Sequence, residues 1–239
     1  MPDLPIAVAT DHPLVAGPFD QQVALAEPNG YRAKIAAAQR SPFNRTLQLD
    51  VDTYILADLG EVFRVLDRFD MALVHAPVGI SMAFDDVPRS FPEFNTGVIA
   101  YRATQLVQDV LAEWLREYDT LASPFDQPSF RRVTYRAAGL RIATLPSEYN
   151  QRMVAGFFNQ PVQILHGWPD RLAGERDYWR AAAAMTRPLE SGAPCGVFAG
   201  RRVYNHEGKR VSGFAVPWRV PRAVVRRARR FMARAIPAR

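Results

Sequence analysis

The sequence contains a single cysteine, Cys195, which excludes an internal disulfide and any cysteine-based metal site. If the protein uses a metal, carboxylates and histidine must hold it. Lysine is almost missing as well: Lys34 and Lys209 are the only two among 30 basic residues, a bias expected of a GC-rich bacterial genome. No run of about 18 uncharged apolar residues occurs, so an evident spanning helix is excluded. The opening Met1-Pro2-Asp3-Leu4-Pro5 has neither the basic nor the apolar region of a secretory signal. These absences predict a cytoplasmic protein. No internal repeat and no low-complexity stretch is visible, which sets aside solenoids and extended disorder.

A chain of 239 residues with 48% hydrophobic content can bury a full core, and 23% charged residues matches the globular norm. One compact domain is expected over residues 1–217. The net charge of +6 is unevenly spread, because residues 218–239 hold eight arginines and no acid. Removing those eight charges from +6 leaves the rest of the chain at −2, so nucleic acid is not an expected partner. Within the tail Val220, Val224, Ala228, Phe231, Met232 and Ala235 share one helical face, with Arg222, Arg226, Arg229, Arg230 and Arg234 elsewhere. The predicted element is a basic amphipathic helix over residues 218–239. It either docks on the core through its apolar face or lies on an anionic membrane, each basic residue contributing about 1 kcal/mol. The second reading places the protein peripherally on the inner face of the membrane.

Patterning along the body alternates strands and helices. Pro5 to Thr10, Thr46 to Leu49, Asp70 to Val74, Thr96 to Tyr101, Leu140 to Thr144 and Val162 to Leu165 have strand character. Tyr31 to Gln39 and Gly60 to Arg68 have helical spacing, and Val107, Val110, Leu111, Trp114, Tyr118 and Leu121 line one face of a long helix from Thr104. Such alternation predicts a layered α/β fold. Two stretches interrupt it: Phe84 to Phe94, with three acids and two prolines, and a hairpin turning at Glu207-Gly208. The first reads as an active-site lid or as a plain connection.

Thr46 to Leu49 stops at Asp50-Val51-Asp52. Side chains alternate along a strand, so acids spaced D-x-D project to one side where the strand ends. Two carboxylates aimed at one point suit a hard divalent cation such as Mg²⁺ or Mn²⁺, which would neutralise a diphosphate leaving group. Alone the motif is weak, since acids at strand ends are common turn formers and helix caps. Its surroundings are Pro42-Phe43-Asn44-Arg45-Thr46-Leu47, then Asp50-Val51-Asp52-Thr53-Tyr54-Ile55, then Asp58-Leu59. In order there follow Phe94-Asn95-Thr96-Gly97-Val98-Ile99, Asp126-Gln127 and Leu165-His166-Gly167. Together these segments resemble the nucleotide-diphospho-sugar transferase family of GT-A fold, related to the glycogenin-like retaining glycosyltransferases.

The resemblance implies a single GT-A-like domain, a mixed central sheet flanked by helices, lacking the family's first strand and helix because Pro5 to Thr10 resembles its second strand. It implies a metal held by Asp50, Asp52 and His166, with Val51 in the donor-binding segment and one of Arg32 and Lys34 meeting the donor phosphates. It places Asn95, Asp126 and Gln127 as catalytic residues around the transferred sugar. The implied partners are a UDP-sugar or similar nucleotide-diphosphate donor and a glycan, lipid or protein acceptor, with retention at the sugar carbon. Bland roles stand beside these: a packed or turn histidine for His166, a helix start for Asp126 ahead of Pro128, a solvated helix face for Arg32 and Lys34, close packing for Gly97. His12, His75 and His206 read as structural or surface residues.

Two other functions remain open. Leu49 to Thr53 also resembles the nucleophile motif of haloacid-dehalogenase-type phosphatases, with Asp85-Asp86 as a later metal pair. That reading requires a basic residue, usually lysine, between the two acidic motifs, and the only later lysine is Lys209. A truncated transferase-like domain that binds without turnover is the second alternative.

Overall fold

The computed structural model describes residues 4–13, 17–26, 30–77, 79–121, 123–152, 157–158, 160–167, 196–199, 202–204 and 210–213. In chain order the elements begin with β1 (Ala7–Thr10), β2 (Gln21–Ala24), α1 (Tyr31–Gln39), β3 (Arg45–Leu49), β4 (Thr53–Ile55) and α2 (Gly60–Val65). β5 (Met71–His75), β6 (Phe94–Arg102), α3 (Gln105–Leu121), α4 (Gln127–Arg136) and β7 (Ile142–Thr144) follow. A 3₁₀ turn (Ser147–Asn150) leads into β8 (Gln151–Arg152), β9 (Phe157–Phe158) and β10 (Ile164–His166). β11 (Gly196–Ala199), β12 (Arg202–Tyr204) and β13 (Arg210–Gly213) come last. The fold is mixed α/β. It divides into two compact units: Met1–Val51 with Asp58–Leu145, and Asp52–Ala57 with Pro146–Arg239.

In the first unit the main sheet runs β3-β6-β5-β7, with β6 antiparallel to both neighbours and β5 parallel to β7. β6 is buried at every position but Arg102. That explains why Phe94 to Tyr101 is nearly continuous in apolar or small residues: a strand covered on both faces has no solvent side for polar alternation. α3 buries Val107, Val110, Leu111 and Trp114 at three- and four-residue steps. Trp114 meets Phe130 of α4 with ring centroids 4.6 Å apart. Ile35 of α1, Met71, Leu73, Ile99 and Tyr101 complete this core. β1 and β2 form a separate parallel pair.

The β5–β6 pairing carries a bulge. Leu73 faces Ile99, but Val74 faces Asn95, so Thr96, Gly97 and Val98 fall outside the pairing with β5. Bulges re-aim side chains and recur beside functional sites. This one lies at the Asn95-Thr96-Gly97 segment.

The stretch expected as lid or connection is fastened to α4. Fully buried Arg131 donates to the carbonyls of Phe91 (3.0 Å) and Pro88 (2.8 Å). Arg132 and Arg136 both hold Asp86, and both reach Glu117 of α3. Arg132 also lies over the Phe84 ring at 4.9 Å.

In the second unit β10 is antiparallel to β4 and parallel to β8, and β13-β12-β11-β9 form an antiparallel sheet. His166 stands opposite Thr53 on one side and Arg152 on the other. Asp52, just before β4, is thereby brought to the same end of the sheet as His166, while Asn150 lies just before β8, the strand that sets Arg152 beside His166.

Each helix and strand expected between residues 5 and 165 has a counterpart, with shifted ends: the helix from Gly60 stops at Val65, and the strand expected to end at Leu165 runs to His166. β2, β4, β8, β9 and β11 were not expected, because segments of two to four residues are too short to show a period. β12 and β13 pair as the hairpin reading requires. Glu207-Gly208, Cys195, His206, Lys209 and the tail helix at 218–239 lie outside the described residues. No helix among the described residues is long and apolar enough to cross a membrane.

Buried Asp70 ties the starts of β5 and β7 together. Its carboxylate accepts the Arg141 backbone N–H at 3.0 Å and the Arg141 guanidinium at 2.9 and 3.1 Å. The guanidinium hydrogen bonds, with the backbone bond and the charge of Arg141, hold the Asp70 carboxyl below its ordinary range, against the opposing effect of burial. A depressed folded-state pKa adds stability that is full above the unfolded value and is lost as pH falls through the folded one. Asp70→Asn is expected to lower the Tm by about 5 °C at pH 7, and the gap to the parent should close below about pH 4. Thermal unfolding at both pH values checks this.

Candidate metal and donor site

Asp50 follows β3 directly, and its backbone N–H donates to the Gly97 carbonyl at 2.9 Å, which fixes its position against the bulged end of β6. Its carboxylate meets Lys34 of α1, with Nζ 3.0 and 3.1 Å from the two oxygens. The same ammonium lies 3.0 Å from Asp126 Oδ2 and 3.1 Å from Thr96 Oγ1. Thr96 Oγ1 in turn donates to Asp126 Oδ2 at 2.8 Å. Asp126 is 2% exposed. A carboxylate that buried requires a compensating charge and filled lone pairs, and Lys34 and Thr96 supply both.

Asp126 does precede a helix with proline in its first turn, yet its side chain makes no capping hydrogen bond. Its backbone carbonyl anchors the helix start instead, accepting from Ser129 Oγ at 2.8 Å and from the Trp114 indole at 3.2 Å. The carboxylate is thereby left to Lys34 and Thr96.

Next to it lies a chain of side-chain amides. Asn95 Nδ2 donates to Gln127 Oε1 at 2.9 Å, and Gln127 Nε2 donates to Glu93 Oε1 at 3.1 Å. Asn95 Oδ1 accepts the Gly97 N–H at 3.0 Å. A cavity of about 500 Å³ opens beside Glu93, lined also by His75, Gly79, Ile80, Arg89 and Pro92.

In the second unit the surroundings of His166 settle its tautomer. Arg152 Nη1 lies 2.9 Å from His166 Nε2, and arginine only donates, so Nε2 is the acceptor. The ring proton then sits on Nδ1 and is donated to Asn150 Oδ1 at 2.7 Å. A metal would take this Nε2 lone pair in place of Arg152, with the other ring nitrogen already oriented by an oxygen. Asp52 Oδ1 lies 3.2 Å from that same Nε2. The Asp52 carbonyl accepts the Gly167 N–H at 3.0 Å. Gly167 has φ +118°, a conformation that side-chain-bearing residues rarely adopt.

Asp52 and His166 set a carboxylate oxygen 3.2 Å from an imidazole nitrogen within the second unit, and Asp50 precedes Asp52 by two residues in the chain. With Asp50 they are the one set of three candidate metal ligands among the described residues. The donor set fits a divalent cation on chemical grounds: two carboxylate oxygens and one imidazole lone pair, with a carboxylate oxygen and that lone pair facing each other as two acceptors. Lys34 supplies positive charge to Asp50 in the first unit, and Arg152 to His166 in the second. The convergence differs from the expected strand pleat. Val51 and Asp52 form a turn, after which the chain enters β4, so Asp52 reaches its place through a change of direction. Val51, at the corner, is 99% exposed.

No family model matches this chain, and no curated protein does. Solved structures similar to it include the mouse xyloside xylosyltransferase 1 in its apo form, at 19% identity and a TM-score of 0.37, covering 56% of this chain and 61% of that one. The apo structure of WbbM, a bifunctional glycosyltransferase, matches at 20% identity and TM-score 0.40 over 66% of this chain and 35% of that one. The glycosyltransferase GlyE of Streptococcus pneumoniae TIGR4 matches at 14% identity and TM-score 0.44, over 72% and 52%. All three are glycosyltransferases. The chain spans between 35% and 61% of their lengths.

Of the residues singled out in the sequence, Asp50, Lys34 and Asp126 meet around one ammonium, Asn95 and Gln127 bond each other, and Asp52 meets His166. Arg32 engages Asp119 of α3, at 2.9 Å from Nε to Oδ1. Arg32 and Lys34 are two apart on a helix and therefore point to different faces. Asp86, offered for the phosphatase reading, is held by Arg132 and Arg136. Thr96, Glu93, Asn150 and Arg152 were not foreseen as parts of the site. Thr96 lies inside a quoted motif, but the other three stand in stretches with no spacing signal.

Lys34→Met removes the charge shared by Asp50 and Asp126. Breaking such a buried arrangement is expected to cost about 3 kcal/mol, and adding Asp126→Asn should recover most of it. Urea unfolding of the single and double variants measures both. A Lys34→Met variant as stable as the parent would show that the carboxylates do not depend on this ammonium.

Proposed function

We propose that this chain is a metal-dependent glycosyltransferase of GT-A fold that moves a sugar, with retention, from a UDP-sugar or related nucleotide-diphosphate donor to a glycan, lipid or protein acceptor. The observation that carries the reading is the approach of Asp52 Oδ1 to His166 Nε2, 3.2 Å apart, at the turn that directly follows Asp50. Those are the three residues that ordered motifs in the sequence single out for a metal. Residues 1–217 form the transferase domain in this reading, and the arginine-rich helix at 218–239 makes a peripheral membrane contact.

Asp50, Asp52 and His166 would hold Mn²⁺ or Mg²⁺, which when bound would supply the charge that neutralises a diphosphate leaving group. Val51, at the exposed corner between the acids, belongs to the donor-binding segment. Lys34 serves the donor phosphates and also keeps Asp50 and Asp126 in place, while Arg32, on another face of the helix, is engaged by Asp119. Asp126 and the bonded amides of Asn95 and Gln127 bind the hydroxyls of the transferred sugar and orient the reacting carbon.

The test is thermal stability with UDP or GDP and Mn²⁺. At a ligand concentration about 100 times Kd, stabilisation is about 2.7 kcal/mol, a rise of roughly 5–10 °C for a chain of this size. Asp52→Ala and His166→Ala are each expected to abolish the shift while the far-ultraviolet circular dichroism stays that of the parent. If neither nucleotide raises the Tm of the parent in the presence of Mn²⁺, the donor-site reading fails. A nucleotide-induced shift without donor turnover identifies a binding domain that does not catalyse. Phosphomonoester hydrolysis that vanishes in Asp50→Asn identifies a phosphatase.

A further inference from the structure

Glu93 precedes β6, is 2% exposed, and belongs to none of the sequence motifs. Its carboxylate accepts from the Ser81 backbone N–H at 3.1 Å, from Ser81 Oγ at 2.8 and 3.0 Å, and from Gln127 Nε2 at 3.1 Å. An ionised carboxylate can only accept, whereas a side-chain amide has one end of each kind and can be turned either way. Glu93 therefore dictates that Gln127 presents its NH₂ to Glu93 and its oxygen to Asn95. That oxygen obliges Asn95 to present its own NH₂, which turns Asn95 Oδ1 to the Gly97 N–H. One buried negative charge thus sets the orientation of two amides and of the bulged backbone at Gly97.

The position of the charge is itself held. Arg131 fastens the loop that ends at Glu93 through the carbonyls of Pro88 and Phe91. The charge on Glu93 opposes the lowering of the Arg131 pKa by burial, so the two groups attract each other inside the fold. The Glu93 backbone carbonyl also accepts the Ala76 N–H at 2.8 Å, joining it to the end of β5.

We propose that Glu93 is the positioning residue of the donor-sugar subsite: it acts through Gln127 and Asn95, whose amide orientations it fixes, and does not touch the substrate. This rests on the reading of Asn95 and Gln127 as groups around the transferred sugar. A glutamine at position 93 keeps the shape but can donate as well as accept, which removes the dictated order of the amides. A one-ångström or one-rotamer error at a reacting centre is enough to lower a rate by about 100-fold without touching remote binding.

The experiment compares the parent with Glu93→Gln and Ser81→Ala. The side-chain amide signals of Asn95 and Gln127, assigned through Asn95→Asp and Gln127→Glu, are followed by ¹⁵N NMR, including the exchange of their protons with water. Mn²⁺-dependent release of UDP from a UDP-sugar gives kcat, and the Tm response to UDP and Mn²⁺ gives nucleotide affinity. Glu93→Gln is expected to shift both amide signals and speed their proton exchange, and to lower kcat about 100-fold with nucleotide affinity within about twofold of the parent. Ser81→Ala, which leaves the charge in place, should keep both amides and kcat near the parent values even if it lowers the Tm. Unchanged amide signals in Glu93→Gln overturn the proposal, as does an unchanged kcat with altered amides or an equal kcat loss in Ser81→Ala. If Glu93→Gln does not fold, Glu93→Asp is substituted, and amides that keep their parent signals when the carboxylate is withdrawn by one methylene overturn it equally. A parent whose Tm responds to neither UDP nor GDP with Mn²⁺ defeats the transferase reading instead, while the amide signals still decide whether Glu93 orients Gln127 and Asn95.

Discussion

The ammonium of Lys34 between the carboxylates of Asp50 and Asp126 is the interaction that ties four elements of the first unit together. Two like charges placed near each other, one of them almost completely buried, repel and lose hydration together. A single cation donating to both, with the Thr96 hydroxyl filling a further lone pair, makes the arrangement tolerable. It also couples elements far apart in sequence: α1 through Lys34, the end of β3 through Asp50, the bulged start of β6 through Thr96, and the entry to α4 through Asp126. The scarcity of lysine in this chain makes its use at this point notable. A guanidinium would bring five donors in a rigid fork, whereas a compact ammonium places its three donors around one point.

The same physical rule recurs elsewhere in different form. In the second unit Arg152 donates to His166 Nε2 near the Asp52 carboxylate, while Asn150 takes the proton on the other ring nitrogen. At Glu93 the charge is balanced by hydrogen bonds from Ser81 and Gln127 and by attraction to Arg131. Each acidic group of the proposed site thus has a donor or cation beside it. A site assembled this way is preorganised by its own charge balance, because each group's orientation is decided by whether its neighbour can donate or only accept.

The helices and long strands were legible because burial of one or both faces leaves a period in the sequence. α3 shows it through Val107, Val110, Leu111 and Trp114, and β6 through its unbroken burial from Phe94 to Tyr101. β2, β4 and β8 were not, because two to four residues carry no period and owe their pairing to neighbours across the sheet. Within the candidate site, Asp50, Asp52, Asn95, Asp126, Gln127 and His166 stood out through ordered motifs. The groups that hold them in place did not, since Glu93, Asn150 and Arg152 are ordinary polar residues until folding brings them within 3.1 Å of a named partner.

By itself the sequence determined the α/β class, the long helix and the strand that delivers Asp50, while its resemblance to a known family implied which acids and histidine to consider together. These follow from local periods and from motif order, both of which are properties of the chain in one dimension. Only the tertiary structure decided that Asp52 arrives by a turn, that the Asp126 carboxylate serves Lys34 instead of capping its helix, and which nitrogen of His166 is the acceptor. It also decided that one buried glutamate aligns two amides. Those outcomes depend on which donor meets which acceptor across 14 to 92 positions of sequence, from Arg152–His166 to Lys34–Asp126, and no local pattern encodes such a meeting.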